Sequence, residues 1–320
     1  MIKLCIVIPA FNEEKTICDT VNEYKKEFPD ARVIVIDNNS TDSTAEQVRH
    51  VLDPVNDLLL TEYRQGKGFA VKQGLSRIEA DIYVMTDADA TYPASDARNL
   101  VGLMLEKRAD MIVGDRITGG NYARQNNRLG HGWGNQLITY IISTLAGQRF
   151  NDILSGLRVM SRPFVTALDV RSSGFQLETE LNIIASYLRA DVFEVPIRYR
   201  ARPDDSCSKL NTVRDGFRIV IFGLIVWIAF APLQFFSLLA IFASGISAIF
   251  GYRVISGFLE TGWTYTTTAT AAAASGLVAI LSLFFGLSLR ILGRNDRRRE
   301  IARFLEKKRQ WNTSLDANDF

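Results

Sequence analysis

The chain has 320 residues, a formal net charge of +2 and a pI near 8.4, and its length allows one or two domains. Because the basic residues gather late in the chain, this charge does not indicate a nucleic-acid partner. The three cysteines, Cys5, Cys18 and Cys207, lack metal-ligand spacing and favour a reducing compartment.

Strands and helices alternate through the first part of the chain. Apolar runs predict strands over Leu4–Ile8, Arg32–Ile36, Leu58–Leu60, Ile82–Met85 and Asp110–Arg116. Helical spacing follows each of the first four strands, and the fourth of these helices covers Ser95–Lys107. This alternation predicts an α/β fold with a mainly parallel sheet flanked by helices.

Polar residues follow the second and third strands. Asp37 stands directly after a strand, at the carboxyl edge of the sheet, where we expect it to recognise the base or ribose of a nucleotide. For Asp42, a helix cap or an Asx-turn explains the residue equally well. Lys67 lies between Gly66 and Gly68 ahead of a helix, which lets backbone and ammonium approach a phosphate but matches neither a Walker loop nor a dinucleotide motif.

The fourth strand ends at two aspartates. Asp87 and Asp89 are one residue apart where the strand frays into a loop, so both carboxylates can converge on one hard divalent cation shared with a diphosphate. The competing interpretation is an acidic turn with solvated carboxylates. Since ligands of open α/β sheets collect at the carboxyl edge, we predict a Mg²⁺ or Mn²⁺ site here.

Acids and arginines recur later, near glycines. Arg116 ends the fifth predicted strand, and Asp152 and Arg158 flank a Ser-Gly turn. Glu178 and Glu180 fit the exposed face of a helix.

Two long uncharged stretches divide the chain near residue 211. No charged residue occurs from Ile219 to Tyr252 or from Thr261 to Leu289, and each stretch exceeds the ~20 residues that cross a bilayer. We predict transmembrane helices over about residues 233–255 and 268–292. Residues 211–232 have too short an apolar part to cross, and they fit an interfacial juxtamembrane helix.

The distribution of charge predicts the topology of an integral membrane protein. Residues 293–320 form a basic tail, interpreted as a solvated topology signal, whereas the connection between the spans has no Lys or Arg. The positive-inside rule places the polar region of residues 1–210 and both termini in the cytoplasm. We expect the membrane to be a bacterial inner membrane. Small residues such as Gly245 and Gly251 allow close helix contact and are compatible with a homo-oligomer.

An ordered set of motifs resembles a known family. Family 2 glycosyltransferases of GT-A fold carry, in this order, motifs similar to Val7–Glu14, Ile36–Asp42, Gly66–Gly68, Asp87–Asp89 and Gly114–Arg116. With Asp152, Gly156, Arg158 and two terminal spans, the chain resembles their polyprenyl-phosphate branch, which includes dolichol-phosphate mannose synthase and the GtrB-like glucosyltransferases.

The resemblance implies a role for each matching residue. Asp87 and Asp89 would hold the metal and the diphosphate, and Arg116 and Arg158 would approach the acceptor phosphate or the leaving group. Implied catalytic residues are Asp89, Arg116, Arg158 and Asp152. The nucleotide sugar would be bound by Pro9, Phe11, Glu13, Asp37, Lys67, Asp87, Arg202 and Lys209.

The implied reaction is the inverting transfer of a hexose from a nucleotide sugar to undecaprenyl or dolichyl phosphate, with Mg²⁺ or Mn²⁺ as cofactor. No residue fixes the base or the sugar; UDP-glucose is preferred, and Thr91, where mannose synthases often have glutamine, argues against GDP-mannose. The alternatives are a GDP-mannose-dependent mannose synthase, a transferase that extends a lipid-linked glycan, and a membrane scaffold subunit without activity.

Overall fold

The structure, a computed structural model, describes residues 2–118, 149–170, 176–201 and 231–318, with a few single positions between these ranges. The chain divides into two compact units. The first comprises Met1–Ile219 together with Glu300–Phe320, and the second comprises Val220–Arg299.

The first unit is built around a seven-stranded sheet. Its elements in chain order are β1 (Leu4–Ala10), α1 (Ile17–Glu27), β2 (Arg32–Asp37), α2 (Thr44–Val51), β3 (Leu58–Thr61), α3 (Lys67–Arg77), β4 (Ile82–Met85), α4 (Ala94–Lys107), β5 (Met111–Asp115), β6 (Arg158–Ser161), α5 (Arg162–Ala167), α6 (Leu177–Leu188) and β7 (Val192–Pro196).

The strands lie in the order β3-β2-β1-β4-β6-β5-β7. Among the described strands, β6 alone runs antiparallel to its neighbours, and the other pairs are parallel. The predicted α/β fold with a mainly parallel sheet is therefore confirmed.

Both faces of the central strands are covered. Along β1, Ile6 and Ile8 enter the apolar core on one face, and Cys5 and Val7 enter the core on the other. All four are fully buried, because a strand with helices on both sides has no solvated face. The sequence of β1 is accordingly a continuous apolar run rather than an alternating one.

The reversed direction of β6 positions the candidate site. Arg158, its first residue, pairs with Met85 of β4 and Val113 of β5. Because β6 runs the other way, the residues just before Arg158 lie beside those that follow β4 and β5. The Asp152–Gly156 turn is thereby brought to the carboxyl edge of the parallel strands.

The chain returns to this unit at its C-terminal end. The helix α8 (Thr266–Asn318) contributes its residues from Glu300 onward. Phe304 is buried in the core on one face of the sheet, and Trp311 and Leu315 are buried in the core on the other. This part of the expected basic tail is therefore a packed helix and not a solvated segment.

An ion pair fixes the same helix to the sheet. Lys308 Nζ lies 2.6 Å from both Asp110 Oδ2 and Asp191 Oδ2, at the start of β5 and β7. Burial raises the pKa of the Asp110 carboxyl, and the hydrogen bond from Lys308 opposes that rise. Burial lowers the pKa of Lys308, but its hydrogen bonds to the two carboxylates outweigh this effect and raise the value. The lysine thus compensates a carboxylate that is completely buried.

The second unit contains α7 (Pro232–Thr261) and the earlier part of α8. The Ser247 hydroxyl donates to the Ala272 carbonyl at 2.8 Å, and a Cβ at Gly286 would lie 2.8 Å from Phe236 Cβ, so the two helices approach closely. By length and composition both helices could cross a membrane. The predicted spans lie within them, whereas most of the predicted interfacial helix falls outside the described residues.

We expect Trp311→Ala to destabilise the first unit by about 3 kcal/mol, because a large buried side chain is lost from the core. Thermal unfolding followed by circular dichroism measures the change. Gln310→Ala, an exposed neighbour on the same helix, is the matched control. An unchanged melting temperature for Trp311→Ala would contradict the packing described above.

Candidate active site

Loops from several strands meet at one edge of the sheet. The last residues of β1 and β2, Ala10 and Asp37, are paired directly, and the amide of Thr86 donates to the Val7 carbonyl at 3.1 Å. Since β5 is parallel to β4, Arg116 follows its strand on the same side. The predicted aspartates and cations are therefore neighbours in space.

Lys67 joins two carboxylates that are far apart in the sequence. Its Nζ lies 2.5 Å from Asp87 Oδ1 and 2.5 Å from Glu178 Oε1. The Lys67 and Glu178 side chains are only 15% and 4% exposed, so the interpretation of Glu178 as part of an exposed helix face is wrong. Burial lowers the pKa of Lys67, but the charges of Asp87 and Glu178 outweigh it and raise the value above that of an ordinary lysine. The ammonium therefore remains charged.

The loop before Lys67 is held by an asparagine. Asn38 donates its Nδ2 to the carbonyls of Glu62 at 3.1 Å and Arg64 at 2.8 Å, and its Oδ1 accepts from the Gly66 amide at 2.7 Å. Gly66 has a φ of +141°, which only glycine adopts readily. Lys67 then begins α3 with its backbone fixed on one side and its ammonium on the other.

Asp89 lies in a tight and nearly buried turn. Its Oδ1 accepts from the Thr91 hydroxyl at 2.6 Å and from the Thr91 amide at 3.2 Å, and the residue is 2% exposed. Ala90 between them has a φ of +57°, a left-handed conformation that is uncommon for alanine. Strained backbone of this kind clusters at ligand sites.

Helix α1 supports the loop that carries both aspartates. The Thr20 hydroxyl donates to the Ala88 carbonyl at 3.1 Å, and the Tyr24 hydroxyl donates to the Thr86 hydroxyl at 2.9 Å. Thr20 and Tyr24 are one helical turn apart and both buried, so they hold the loop from one side.

Arg116 and Asp152 form a two-pronged ion pair. Arg116 Nε lies 2.7 Å from Asp152 Oδ2, and its Nη2 lies 2.8 Å from Oδ1. The Arg116 amide also donates to Oδ2 at 3.1 Å, and the guanidinium carbon lies 5.5 Å from the centroid of the Tyr199 ring. Such planar, paired contacts fix orientation as well as charge.

Arg158 is buried, and its guanidinium bonds backbone carbonyls of the preceding turn. It is 0% exposed and donates to the carbonyls of Ile153 at 2.8 Å and Ser155 at 3.1 Å, and to Asn182 Oδ1 at 2.9 Å. Burial lowers its pKa, and the charges of Glu178 and Asp152 oppose this effect. The expected approach of Arg158 to a phosphate does not fit this placement; instead, Arg158 holds the turn that precedes β6.

That turn places Gly156 close to the Asp87 carboxylate. A Cβ at Gly156 would lie 2.4 Å from Asp87 Oδ2 and 2.8 Å from its Cγ. The Gly156 amide donates to the hydroxyl of the buried Tyr92 at 2.9 Å. The position of the Asp87 carboxylate therefore depends on the absence of a side chain at residue 156.

The residues expected to bind the nucleotide lie beside these groups. Pro9 is buried at the end of β1, and Phe11 follows the strand with partial exposure. Glu13 Oε2 accepts from the Thr16 hydroxyl at 3.1 Å, and Asp37 Oδ1 accepts from the Ser40 amide at 3.2 Å. The predicted Arg202 and Lys209 lie outside the described residues.

Two carboxylates are available to a divalent cation at this edge of the sheet. Within the described ranges, no three His, Cys, Asp or Glu side chains are grouped as metal ligands. Asp87 and Asp89 supply two carboxylates, which suits Mg²⁺ or Mn²⁺ because these ions complete their shell with water and substrate phosphates. The residues therefore fit a cation that arrives with a diphosphate, and they do not fit a metal site made wholly of protein.

The arrangement concentrates fixed charge rather than acid and base groups. His50 is exposed on α2, and His131, the other histidine of the chain, lies outside the described residues. Lys67 and Arg116 supply the positive charge at this edge of the sheet. Such a site can stabilise negative charge on a ligand.

Comparison with known proteins identifies the family. The model of "Glycosyl transferase family 2" matches residues 5–166, which span β1 to α5 and contain the Asp87 and Asp152 loops. The chain belongs to glycosyl transferase family 2. Glycosyltransferase AglJ of Haloferax volcanii is 34% identical over 217 residues, 67% of this chain and 68% of that protein.

A second relative of this family 2 chain is the UDP-N-acetylglucosamine–dolichyl-phosphate N-acetylglucosaminyltransferase of Methanococcus voltae. It is 27% identical over 67% of this chain and 92% of its own length. Among solved structures, glucosyl-3-phosphoglycerate synthase of Mycobacterium tuberculosis, in complex with Mn²⁺, UDP-glucose and phosphoglyceric acid, aligns with a TM-score of 0.54 and 24% identity over 70% of this chain and 79% of that one. This likeness confirms the GT-A type of fold.

Two residues of the glycosyltransferase site, Glu178 and Asn38, are not among the site residues predicted from the sequence. Glu178 shares a helix face with the buried Leu181 and Ala185, so its burial could have been read from the apolar spacing. Asn38 gives a weaker signal, because asparagine after a strand is common in turns.

We expect Gly156→Ala to reduce glycosyl transfer on the order of 100-fold, because the new Cβ would displace the Asp87 carboxylate and small misplacements of such groups are costly. Gly102→Ala is the matched control, since nothing lies within 4 Å of its added Cβ. Initial rates with a nucleotide sugar measure both. Activity close to that of the unchanged chain for Gly156→Ala would contradict the assigned contact.

Proposed function

We propose that this family 2 glycosyltransferase transfers a hexose from a nucleotide sugar to a polyprenyl phosphate, with inversion at the anomeric carbon. The observation that carries the proposal is the meeting of Asp87 and Asp89 with Lys67 and Arg116 at one sheet edge, in a chain with two long apolar helices. The first feature suits a sugar diphosphate, and the second suits an acceptor that resides in a membrane.

The acceptor supplies its own nucleophile. A phosphate monoester has a second pKa near ~6, so a lipid phosphate is largely dianionic at neutral pH. One of its oxygens attacks the anomeric carbon, the bond from that carbon to the diphosphate oxygen breaks, and the nucleoside diphosphate leaves with the bonding electrons. No proton has to be removed, which agrees with a site rich in fixed charge and without a positioned histidine among its described residues.

The protein's task is to hold two anionic reactants together. Lys67 supplies a charged ammonium beside Asp87, and Arg116 supplies a guanidinium oriented by Asp152. Positive groups fixed in advance stabilise the charge on the leaving diphosphate without reorganisation during reaction. We assign Arg158 and Asp152 to positioning, and we retain Arg202 and Lys209 as proposed contacts of the diphosphate.

We propose Asp87 and Asp89 as the residues that hold a divalent cation, Mg²⁺ or Mn²⁺. Such a cation would offset charge on the diphosphate when bound. The solved protein of similar fold was crystallised with Mn²⁺ and UDP-glucose, which supports a cation and a uridine nucleotide here. Pro9, Phe11, Glu13 and Asp37 are proposed to line the nucleotide pocket.

The proposed donor is UDP-glucose, and the proposed acceptor is undecaprenyl or dolichyl phosphate. The Methanococcus relative, whose name specifies a UDP-sugar and dolichyl phosphate, supports this class of donor and acceptor. We further propose that the two apolar helices anchor the chain in a membrane. The first unit, which carries the candidate active site and is called the catalytic unit below, and both termini would lie in the cytoplasm.

Purified protein incubated with UDP-glucose, GDP-mannose or UDP-N-acetylglucosamine, with Mg²⁺ or Mn²⁺ and either lipid phosphate, tests the proposal directly. We expect mass spectrometry to detect a polyprenyl-phosphate hexose with UDP-glucose, and chelation of the cation to abolish it. A product formed only with GDP-mannose would favour a mannose synthase. A product formed only on a lipid that already carries sugar would replace the proposed acceptor, and no product with any combination would favour a scaffold subunit.

We expect Asp89→Asn to lower the rate of transfer by at least about 100-fold, because a carboxylate assigned to the cation becomes a neutral amide. Asp19→Asn on the exposed start of α1 is the control for loss of one negative charge. Rates are measured at saturating cation. Transfer by Asp89→Asn at the rate of the control would refute the assignment.

A further inference from the structure

Lys67 is paired with a carboxylate that would also hold the proposed cation. Its ammonium lies 2.5 Å from Asp87 Oδ1, an oxygen of one of the two carboxylates assigned to the cation. A divalent cation and an ammonium at one carboxylate repel each other strongly over such short distances in a largely buried site. Cation binding at Asp87 therefore has to displace Lys67 or work against its charge.

Glu178 offers the displaced ammonium a second partner. Its Oε1 is also 2.5 Å from Lys67 Nζ, and its side chain is 4% exposed. Glu178 stands in the first turn of α6, where the helix dipole stabilises a carboxylate. A buried ammonium left without a carboxylate would be costly, and Glu178 removes that cost when Asp87 is engaged elsewhere.

The position of Lys67 in its own helix supports this interpretation. It is the first residue of α3, where a cation is disfavoured by the helix dipole. The two carboxylates, and not the helix, therefore account for the place of the ammonium. One ammonium between two carboxylates also leaves the cluster with an excess of negative charge that a further cation can neutralise.

We propose that Lys67 competes with the divalent cation for Asp87, and that Glu178 retains the ammonium beside the site when the cation enters. The protein then binds the cation weakly alone and more tightly together with a nucleoside diphosphate, whose phosphates attract both positive groups. This inference rests on the proposed function for the identity of the ligand. It adds a role for Glu178 as a positioning residue.

Binding of Mn²⁺ to the purified full chain, followed by the electron paramagnetic resonance signal of the free ion, tests the proposal. Without nucleotide, we expect Lys67→Met to bind Mn²⁺ about tenfold more tightly, because the competing ammonium is gone. Glu178→Gln should bind Mn²⁺ several-fold more weakly, since Lys67 is then left with Asp87 alone. Glu180→Gln, two residues along the same helix, is the matched control and should not change the affinity.

Addition of UDP supplies a second readout. We expect UDP to increase the Mn²⁺ affinity of the unchanged chain by a larger factor than that of Lys67→Met, because the variant has no competition to relieve. Equal factors for the two proteins would overturn the proposal.

Lys67→Met leaves two carboxylates without their lysine and can impair folding. The double variant Lys67→Met/Glu178→Gln removes one charge of each sign, and thermal unfolding verifies that it is folded. We expect it, too, to bind Mn²⁺ more tightly than the unchanged chain does. The proposal fails if neither variant binds Mn²⁺ more tightly, or if no form of the protein binds Mn²⁺.

These measurements use neither a sugar nor a lipid, so they separate the inference from the proposed function. Shifted Mn²⁺ affinities in a protein that glycosylates no polyprenyl phosphate would support the inference and refute the acceptor. Transfer to polyprenyl phosphate with unshifted affinities would refute the inference alone.

Discussion

A single ammonium connects three separate parts of the catalytic unit. Lys67 begins α3, Asp87 follows β4, and Glu178 begins α6, yet the lysine lies 2.5 Å from both carboxylates. In a site with little exposure, each of these charges would be unfavourable without the others. Electrostatic attraction thus holds the loops that carry these charges in place relative to one another. The apolar cores on the two faces of the sheet hold the strands and helices beneath these loops.

Around this contact, other buried residues form hydrogen bonds that hold the loops of the site in place. Asn38 fixes the loop before Lys67, Thr20 and Tyr24 fix the loop of Asp87, and Arg158 fixes the turn of Gly156. Asn38, Thr20 and Tyr24 bond loop groups that are far from them in the sequence, whereas Arg158 bonds carbonyls three and five residues before it. Because loops carry few apolar contacts of their own, such bonds supply the rigidity that a site for charged ligands needs.

The local sequence pattern predicts much of the fold but only part of the candidate site. The apolar run of β4 and the aspartates after it predict both the strand and the edge at which Asp87 lies. The antiparallel direction of β6 is not encoded locally, because four residues of strand have the same appearance in either direction. The burial of Arg158 follows from that direction, so its role could not be judged from the sequence. The burial of Glu178, by contrast, is predictable from the sequence, because Glu178 shares a helix face with the apolar residues Leu181 and Ala185.

The C-terminal helix is connected to the candidate site through β5. This strand starts beside Asp110, which pairs with Lys308 of the C-terminal helix, and it ends beside Arg116, which pairs with Asp152. Both carboxylates are completely buried, so each end of the strand is fixed by an ion pair whose loss would leave a buried charge. The strand has only five residues, Met111–Asp115, and a displacement at one end of so short a strand has little backbone in which to relax. The C-terminal helix is therefore part of the scaffold of the catalytic unit, although the charge of the surrounding sequence alone suggests a solvated tail.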